Sequence, residues 1–234
     1  MKSAAFNPYI GMFPDGPIDK ICHYRDGLPA EDAKRVEQQL REAWEVDGRR
    51  REMGVRFVRG PIAGETGQIV QTAQQVYDLI AKEQGTMMVE PVSVFETALH
   101  EPYTVLVSSR NDPNLVVGFA TLFRLTDEWY ELRSLVVRNH EPNSFRNRGI
   151  ATEIVFEVLR LGFYHLPECA GIIATVKDDY AITALVRGGM GLERYSKLPP
   201  EVRLATCTCT GPGEGGIGCP KAGTACRLAV LRKK

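Results

Sequence analysis

No run of apolar residues in the chain approaches the length needed to cross a bilayer, so no membrane-spanning helix is expected. The N-terminus also lacks the basic-then-apolar build of a signal peptide, and the default expectation is a cytoplasmic protein. Charge of one sign is missing too, because 29 Lys and Arg balance 29 Asp and Glu. No global field therefore draws the chain onto an anionic membrane or nucleic acid. The basic runs Arg49-Arg50-Arg51 and Arg232-Lys233-Lys234 read as solvated ends rather than binding patches. His23, His100 and His165 show no metal-ligand spacing with one another.

What is present fits an ordinary globular chain. Its 234 residues are 44% hydrophobic, enough for one domain with a sizeable core and an extension. Residues 1–29 are broken by Pro, Gly and Asp, while Phe6, Tyr9, Phe13 and Tyr24 suggest that the segment is pinned down. Residues 30–51 place Ala33, Val36, Leu40, Ala43 and Trp44 on one helical face. The expected organisation is an N-terminal extension over 1–51 and a mixed α/β domain over 52–234.

Within that domain, 55–58 reads as a strand and Thr66 as the cap of an amphipathic helix ending near Gly85. Residues 86–102 are ambiguous between a strand over 89–95 and a short helix over 92–99. The runs 103–108 and 115–122 flank Asn111-Asp112-Pro113-Asn114, a turn signal, and predict a hairpin. A strand over 129–137, a helix from Gly149, a strand over 171–176 and a short helix over 181–186 follow. The tail reads as a last pair of strands, beginning at Arg203 and at Cys226, around a glycine-rich loop.

The stretch Phe145-Arg146-Asn147-Arg148-Gly149-Ile150-Ala151 sits where a strand hands over to a helix. The first turn of a helix presents backbone N–H groups without intrahelical partners, and the aligned peptide dipoles leave partial positive charge there. Gly149 and Ala151 let an anion approach the backbone, and Arg146 and Arg148 add forked donors. A pyrophosphate suits that chemistry.

The pattern Arg-x-x-Gly-x-Ala, with its strand before and helix after, resembles the acyl-CoA pyrophosphate loop of the GNAT acetyltransferase superfamily. The order strand, strand, strand, helix, strand, helix is similar to that family's core, across roughly 52–234. The resemblance implies a mainly antiparallel mixed sheet flanked by helices. It also implies acetyl-CoA or another acyl-CoA as cosubstrate and an amine as acceptor. It places the pyrophosphate at Arg146, Asn147, Arg148, Gly149, Ile150, Ala151 and Thr152. The pantetheine arm would run between strand edges at Leu135, Val136 and Val137 and at 172–174.

In family members with a glutamate base, that residue lies on the strand before the anion loop, a position Glu131 matches. An exposed strand carboxylate pairing with Arg133 or a lysine is the alternative reading. The family's second signature matches only in part, at Asp178, Ala181, Arg187 and Gly189. Asp178 and Arg187 would lie on the cofactor side. Leu185 stands where a tyrosine commonly protonates the leaving thiolate, so Tyr180 or Tyr195 substitutes, the thiolate leaves unassisted, or the chain is not catalytic. His140 lies in a long loop near the expected cofactor, as a base, a substrate ligand or a plain loop histidine.

Four of the six cysteines, Cys207, Cys209, Cys219 and Cys226, fall in the tail. The spacing Cys207-x-Cys209 puts two sulfurs on one face of a strand, so three readings stand: a structural zinc site, reduced thiols or disulfides. The expected activity is direct acyl transfer from acyl-CoA to an amine. The alternative is a non-catalytic GNAT-like module acting through its extension or cysteine-rich hairpin. The identity of the amine, and whether the chain forms a homodimer, are not encoded in any motif.

Overall fold

Turn chemistry and β-branched runs lay down the first half of the sheet. A computed structural model of the chain describes residues 48–84, 90–140, 144–145, 147–176, 179–206 and 227–233. The chain divides into two units, Met1–Glu52 and Met53–Lys234. In the first, residues 48–52 are described and are helical.

In the second unit, β1 (Val55–Arg59) leads through α1 (Thr66–Gln84) and α2 (Val92–Leu99) to β2 (Val105–Ser109) and β3 (Val116–Arg124). The turn between β2 and β3 closes on itself. Asp112 Oδ1 accepts from the Asn114 N–H at 3.1 Å, and its carbonyl accepts from Leu115 N–H at 3.0 Å. Next come β4 (Trp129–Val137), α3 (Ile150–His165), β5 (Gly171–Val176) and α4 (Asp179–Arg187). The chain ends with β6 (Gly191–Glu193), a 3₁₀ turn at Tyr195–Lys197, α5 (Pro200–Thr206) and β7 (Arg227–Arg232).

The strands form one seven-stranded sheet in the order β1-β2-β3-β4-β5-β7-β6. Its pairings are antiparallel except for β4 with β5, where the α3 crossover makes the strands parallel. One face carries α3, whose Ile150, Ile154, Val155, Val158 and Leu159 meet Val105, Ala120, Leu132, Ile172 and Ala229 in the main core. The other carries α1 and α2, with Ile69, Val76, Ile80, Phe95 and Leu99 packed on Leu106, Phe119 and Val136. Further along that face, Leu198 and Val202 cover Trp129, Ile173, Leu228 and Val230. No described helix is long and apolar enough to cross a membrane.

The parallel pair is short. Trp129, Tyr130 and Glu131 pair with Gly171, Ile172 and Ile173, and beyond those residues the two strands part. A bulge in β4 sits where they part. Phe119 faces Val136 while Thr121 faces Arg133, so Ser134 and Leu135 together oppose Ala120. Ser134 has φ 58°, a left-handed conformation rare outside glycine, and it reverses the alternation of β4 so that Val136 joins the α1–α2 face.

Below the bulge the pair is held by close approach. A Cβ on Gly171 would stand 2.5 Å from Trp129 Cζ3 and 2.7 Å from Cη2. The ring is itself held under the Arg232 guanidinium at 5.0 Å. Gly171→Ala is therefore expected to destabilise the fold by roughly 1–3 kcal/mol in a urea titration. An unchanged midpoint would contradict this packing.

The structure corrects several expectations. Residues 203–206, expected as strand, belong to helix α5, so β7 closes the sheet against β5 and β6 instead of pairing with a neighbour from 203 onward. Val202 and Thr206, four residues apart, are both buried, which is helical spacing. Of the splayed edge expected at 172–174, Ile172 and Ile173 are paired with β4 and only Ala174 onward is free on that side. Thr66 is the first helical residue rather than the cap. The ambiguous 86–102 region contains helix α2.

Candidate active site

The gap between β4 and β5 is lined by side chains that the β-pleat sends to one face. Glu131 lies opposite Ile173 in the parallel pair, so Glu131, Arg133, Ile173 and Thr175 share the face that carries α1, α2 and α5. Glu131 is 5% exposed. Arg133 Nε donates to its Oε2 at 2.6 Å, and Arg133 Nη1 lies 3.4 Å from Glu90 Oε1 just before α2. The same guanidinium stacks over Phe123 at 5.2 Å. Thr175 Oγ1 lies 3.1 Å from the Tyr195 hydroxyl oxygen.

Burial pushes the Glu131 carboxyl upward from the ordinary glutamate value. Arg133 opposes that rise by charge and hydrogen bond, Thr175 opposes it by hydrogen bond, and Glu90 adds a smaller upward push. The result is a carboxyl that accepts a proton more readily than a surface glutamate, held in one orientation. The alternative reading of Glu131 had the right partner, Arg133, and the wrong environment, because the pair is not exposed. On the same face a cleft of about 370 Å³ opens under α2, walled by Val94, Thr97, Phe123 and Glu101. Phe123 is the cross-strand partner of Glu131, so the cleft and the carboxylate are neighbours.

Beyond the C-terminal end of β4 lies the stretch expected to meet an anion. Asn147 has φ 61° and Gly149 φ 77°, two left-handed residues within three, and α3 starts at Ile150 with no side chain capping it. Asn147, Arg148 and Gly149 are exposed, and Ile150 is buried beneath them. Arg148 is more committed than expected. Its guanidinium donates to Met53 O and Ser144 O, each at 3.2 Å, and lies over the Phe145 ring at 4.7 Å, so it braces the loop.

His140 is likewise structural. Glu83 Oε1 accepts from the Asn139 N–H at 2.7 Å and the His140 N–H at 3.2 Å, and it also meets His140 Nδ1. Arg138 Nη1 lies 2.7 Å from Nε2 and can only donate, so Nε2 accepts and the Nδ1 hydrogen goes to Glu83. The ring thus ties the end of β4 to α1.

Of the two tyrosines considered as acid, Tyr195 is the one placed beside the gap. Tyr180 stands 67% exposed in the first turn of α4. Leu185 is fully buried in the main core, so its position is taken by packing. Leu135, Val136 and Val137 come after Glu131, the last β4 residue that pairs with β5. Ala151 and Thr152 continue the first turn of α3, and Arg187 ends α4. Arg146, Asp178, Cys207, Cys209, Cys219 and Cys226 lie outside the described residues. Among the described residues no three His, Cys, Asp or Glu side chains gather as a metal site.

Thr175, Glu90 and the Ser134 bulge are members of the site that the sequence reading did not reach. A threonine in a strand reads as a β-former, and only the register of β5 against β4 brings it to Glu131.

No family model matches the chain, and no curated protein does. Solved structures do. Rv2747 from Mycobacterium tuberculosis, in complex with CoA, is 14% identical with a TM-score of 0.53, over 70% of this chain and 96% of its own. A GNAT-family acetyltransferase from Staphylococcus aureus is 12% identical with a TM-score of 0.49, over 77% of this chain and 99% of its own. Together with the parallel β4–β5 pair that splays beyond a bulge, beside a glycine-started helix, the likeness to the CoA-bound Rv2747 structure shows that the chain has a GNAT-like fold.

Proposed function

We infer that the unit Met53–Lys234 transfers an acetyl or other acyl group from acyl-CoA to an amine by direct attack. The observation that carries this reading is a buried carboxylate, Glu131, standing where β4 and β5 separate. An extended ligand fits such a gap. The backbone of Val136 and Val137 on one side and of Ala174 onward on the other has hydrogen-bonding groups to offer it. The pyrophosphate end would meet the loop at Gly149 and the first turn of α3, where Arg146 adds charge.

In this reading bound acyl-CoA supplies the activated acyl group, and the protein's own side chains handle position and protons. Glu131 takes the proton that the amine must lose, Arg133 fixes the carboxylate, and the wall formed by α2 and Phe123 holds the acceptor's remainder. The buried Leu185 favours a second reading, a GNAT-like module that binds acyl-CoA without catalysis. Whether the tail cysteines hold zinc bears on that reading and not on the transfer.

A thermal-unfolding scan with acetyl-CoA tests the inference. Ligand at about a hundred times its dissociation constant is expected to add roughly 2.7 kcal/mol of stability. Gly149→Asp, which puts a carboxylate at the helix start, is expected to remove that shift. A shift accompanied by turnover of an amine supports transfer, whereas a shift with no turnover across primary amines supports the second reading. No shift with any acyl-CoA refutes both.

A further inference from the structure

We propose that Glu90 is a positioning residue for the proton-accepting carboxylate: it holds Arg133 at a nitrogen that Glu131 does not use, and it keeps the guanidinium charge balanced when Glu131 takes up a proton. The inference rests on the acyl-transfer reading. It starts from a problem of charge, because a guanidinium bound to the base opposes the protonation that a base must undergo.

Arg133 Nε lies 2.6 Å from Glu131 Oε2 and Arg133 Nη1 lies 3.4 Å from Glu90 Oε1, so two carboxylates meet different nitrogens of one fork. Phe123 backs the guanidinium, 5.2 Å from the ring centroid. Glu131 is buried and its two partners are half-buried, so water screens the trio only in part. Glu90 is anchored by its neighbour: the Pro91 carbonyl accepts from the Val94 N–H at 2.9 Å in the first turn of α2. Among the described residues, Glu90 and Glu131 pair with no basic side chain other than Arg133. The remaining neighbours of Glu131 are Phe123 on β3, Ile173 and Thr175 on β5, and the Tyr195 hydroxyl beyond Thr175. Val202 is what α5 presents to this face, and Arg124, next to Phe123, is paired with Asp127.

With both carboxylates ionised, the trio carries a net charge of minus one, and Arg133 sits closer to Glu131 than to Glu90. The amine nitrogen bonds to the acyl carbon, the carbon–sulfur bond breaks with its electron pair on sulfur, and the hydrogen that the nitrogen sheds goes to Glu131. Glu131 is then neutral, and the Arg133–Glu90 pair left behind is neutral as well. Without Glu90 the same step would strand a half-buried guanidinium with no counter-ion, and that cost would lower the proton affinity of Glu131. Glu90 takes no proton itself. Its negative charge also pushes the Glu131 carboxyl upward, against the pull of Arg133.

Glu90→Gln keeps the shape and removes the charge, whereas Glu90→Asp keeps the charge on a shorter stem. In the whole chain without ligand, carbon-13 titration of the Glu131 carboxyl is expected to move down by about one pH unit in Glu90→Gln. The sign follows from the loss of a nearby negative charge, which leaves Arg133 to Glu131 alone. Glu90→Asp is expected to restore most of the wild-type value. With acetyl-CoA and an amine that the wild type acetylates, the acidic limb of kcat/KM is expected to move down by the same amount in Glu90→Gln. Above that limb kcat is expected to fall about three- to tenfold, as a weaker base requires. KM for acyl-CoA is expected to stay within about twofold. A glutamate that only anchored the start of α2 would instead lower the urea midpoint and leave the titration and the limb in place.

A Glu131 titration unmoved in Glu90→Gln, an acidic limb that stays in place, or a Glu90→Asp protein shifted as far as Glu90→Gln overturns the role of Glu90 while leaving acyl transfer standing. A wild type that acetylates no amine overturns the acyl-transfer reading and the role of Glu90 with it.

Discussion

Glu131→Gln is expected to lower kcat/KM for acyl transfer by about 10²–10⁴-fold, the usual worth of a positioned general base. Acyl-CoA affinity is expected to stay within about threefold, because the expected ligand contacts lie on the backbone of β4 and β5 and at the loop before α3. The amide keeps the volume and an acceptor oxygen for Arg133, so the variant folds and loses only the proton-accepting step. The pH profile supplies a second readout. Burial raises the Glu131 carboxyl, so the acidic limb of kcat/KM is expected above the ordinary carboxylate range, with the rate rising as the group ionises. In Glu131→Gln that limb disappears.

Stability responds with the opposite slope. A carboxyl raised in the folded state contributes stability in full below its unfolded value and loses it as pH rises through the folded value. Urea titrations at increasing pH across that window are therefore expected to show wild type losing ground to Glu131→Gln. A parallel pH dependence in the two proteins would mean that Glu131 is not raised. A Glu131→Gln enzyme with wild-type kcat/KM would remove Glu131 from the mechanism.

Phe119→Ala is expected to cost about 3–5 kcal/mol of folding stability, as removal of a fully buried aromatic side chain does. Phe119 has no exposed surface and meets the Phe95 ring edge-on, with centroids 5.8 Å apart and planes at 90°. It stands opposite Val136 at the edge of the bulge, so its loss loosens the attachment of α2 to the strand that carries Glu131. Against a typical total of about 5–15 kcal/mol, this is a large fraction of what keeps the domain folded. A urea midpoint close to wild type would contradict the packing. In protein that stays folded, KM for the amine is expected to rise more than KM for acyl-CoA, because α2 walls the cleft and the anion loop lies elsewhere.

The local signals in this chain were dependable where one short stretch carried the whole cause. The Asp112 turn between β2 and β3, the helical spacing from Ile150 to Leu161, and Gly149 before the first turn of α3 each depend on neighbours within a few residues. Residues 203–206 read as the start of one of a last pair of strands around a glycine-rich loop, yet Val202 and Thr206 bury one helical face. That choice was made by tertiary packing, which overrides weak local propensity.

The sequence by itself determined the order of elements from β2 to α4 and placed Glu131 as a carboxylate on the strand before α3. The tertiary structure alone decided that Glu131 is buried, that Tyr195 meets Thr175 on the same side of the sheet, and that β4 and β5 part after three paired residues. The physical reason is distance along the chain. Helix starts and hairpin turns answer to adjacent residues, whereas register, the bulge at Ser134 and the desolvation of a carboxylate are set by strands and helices tens of residues away.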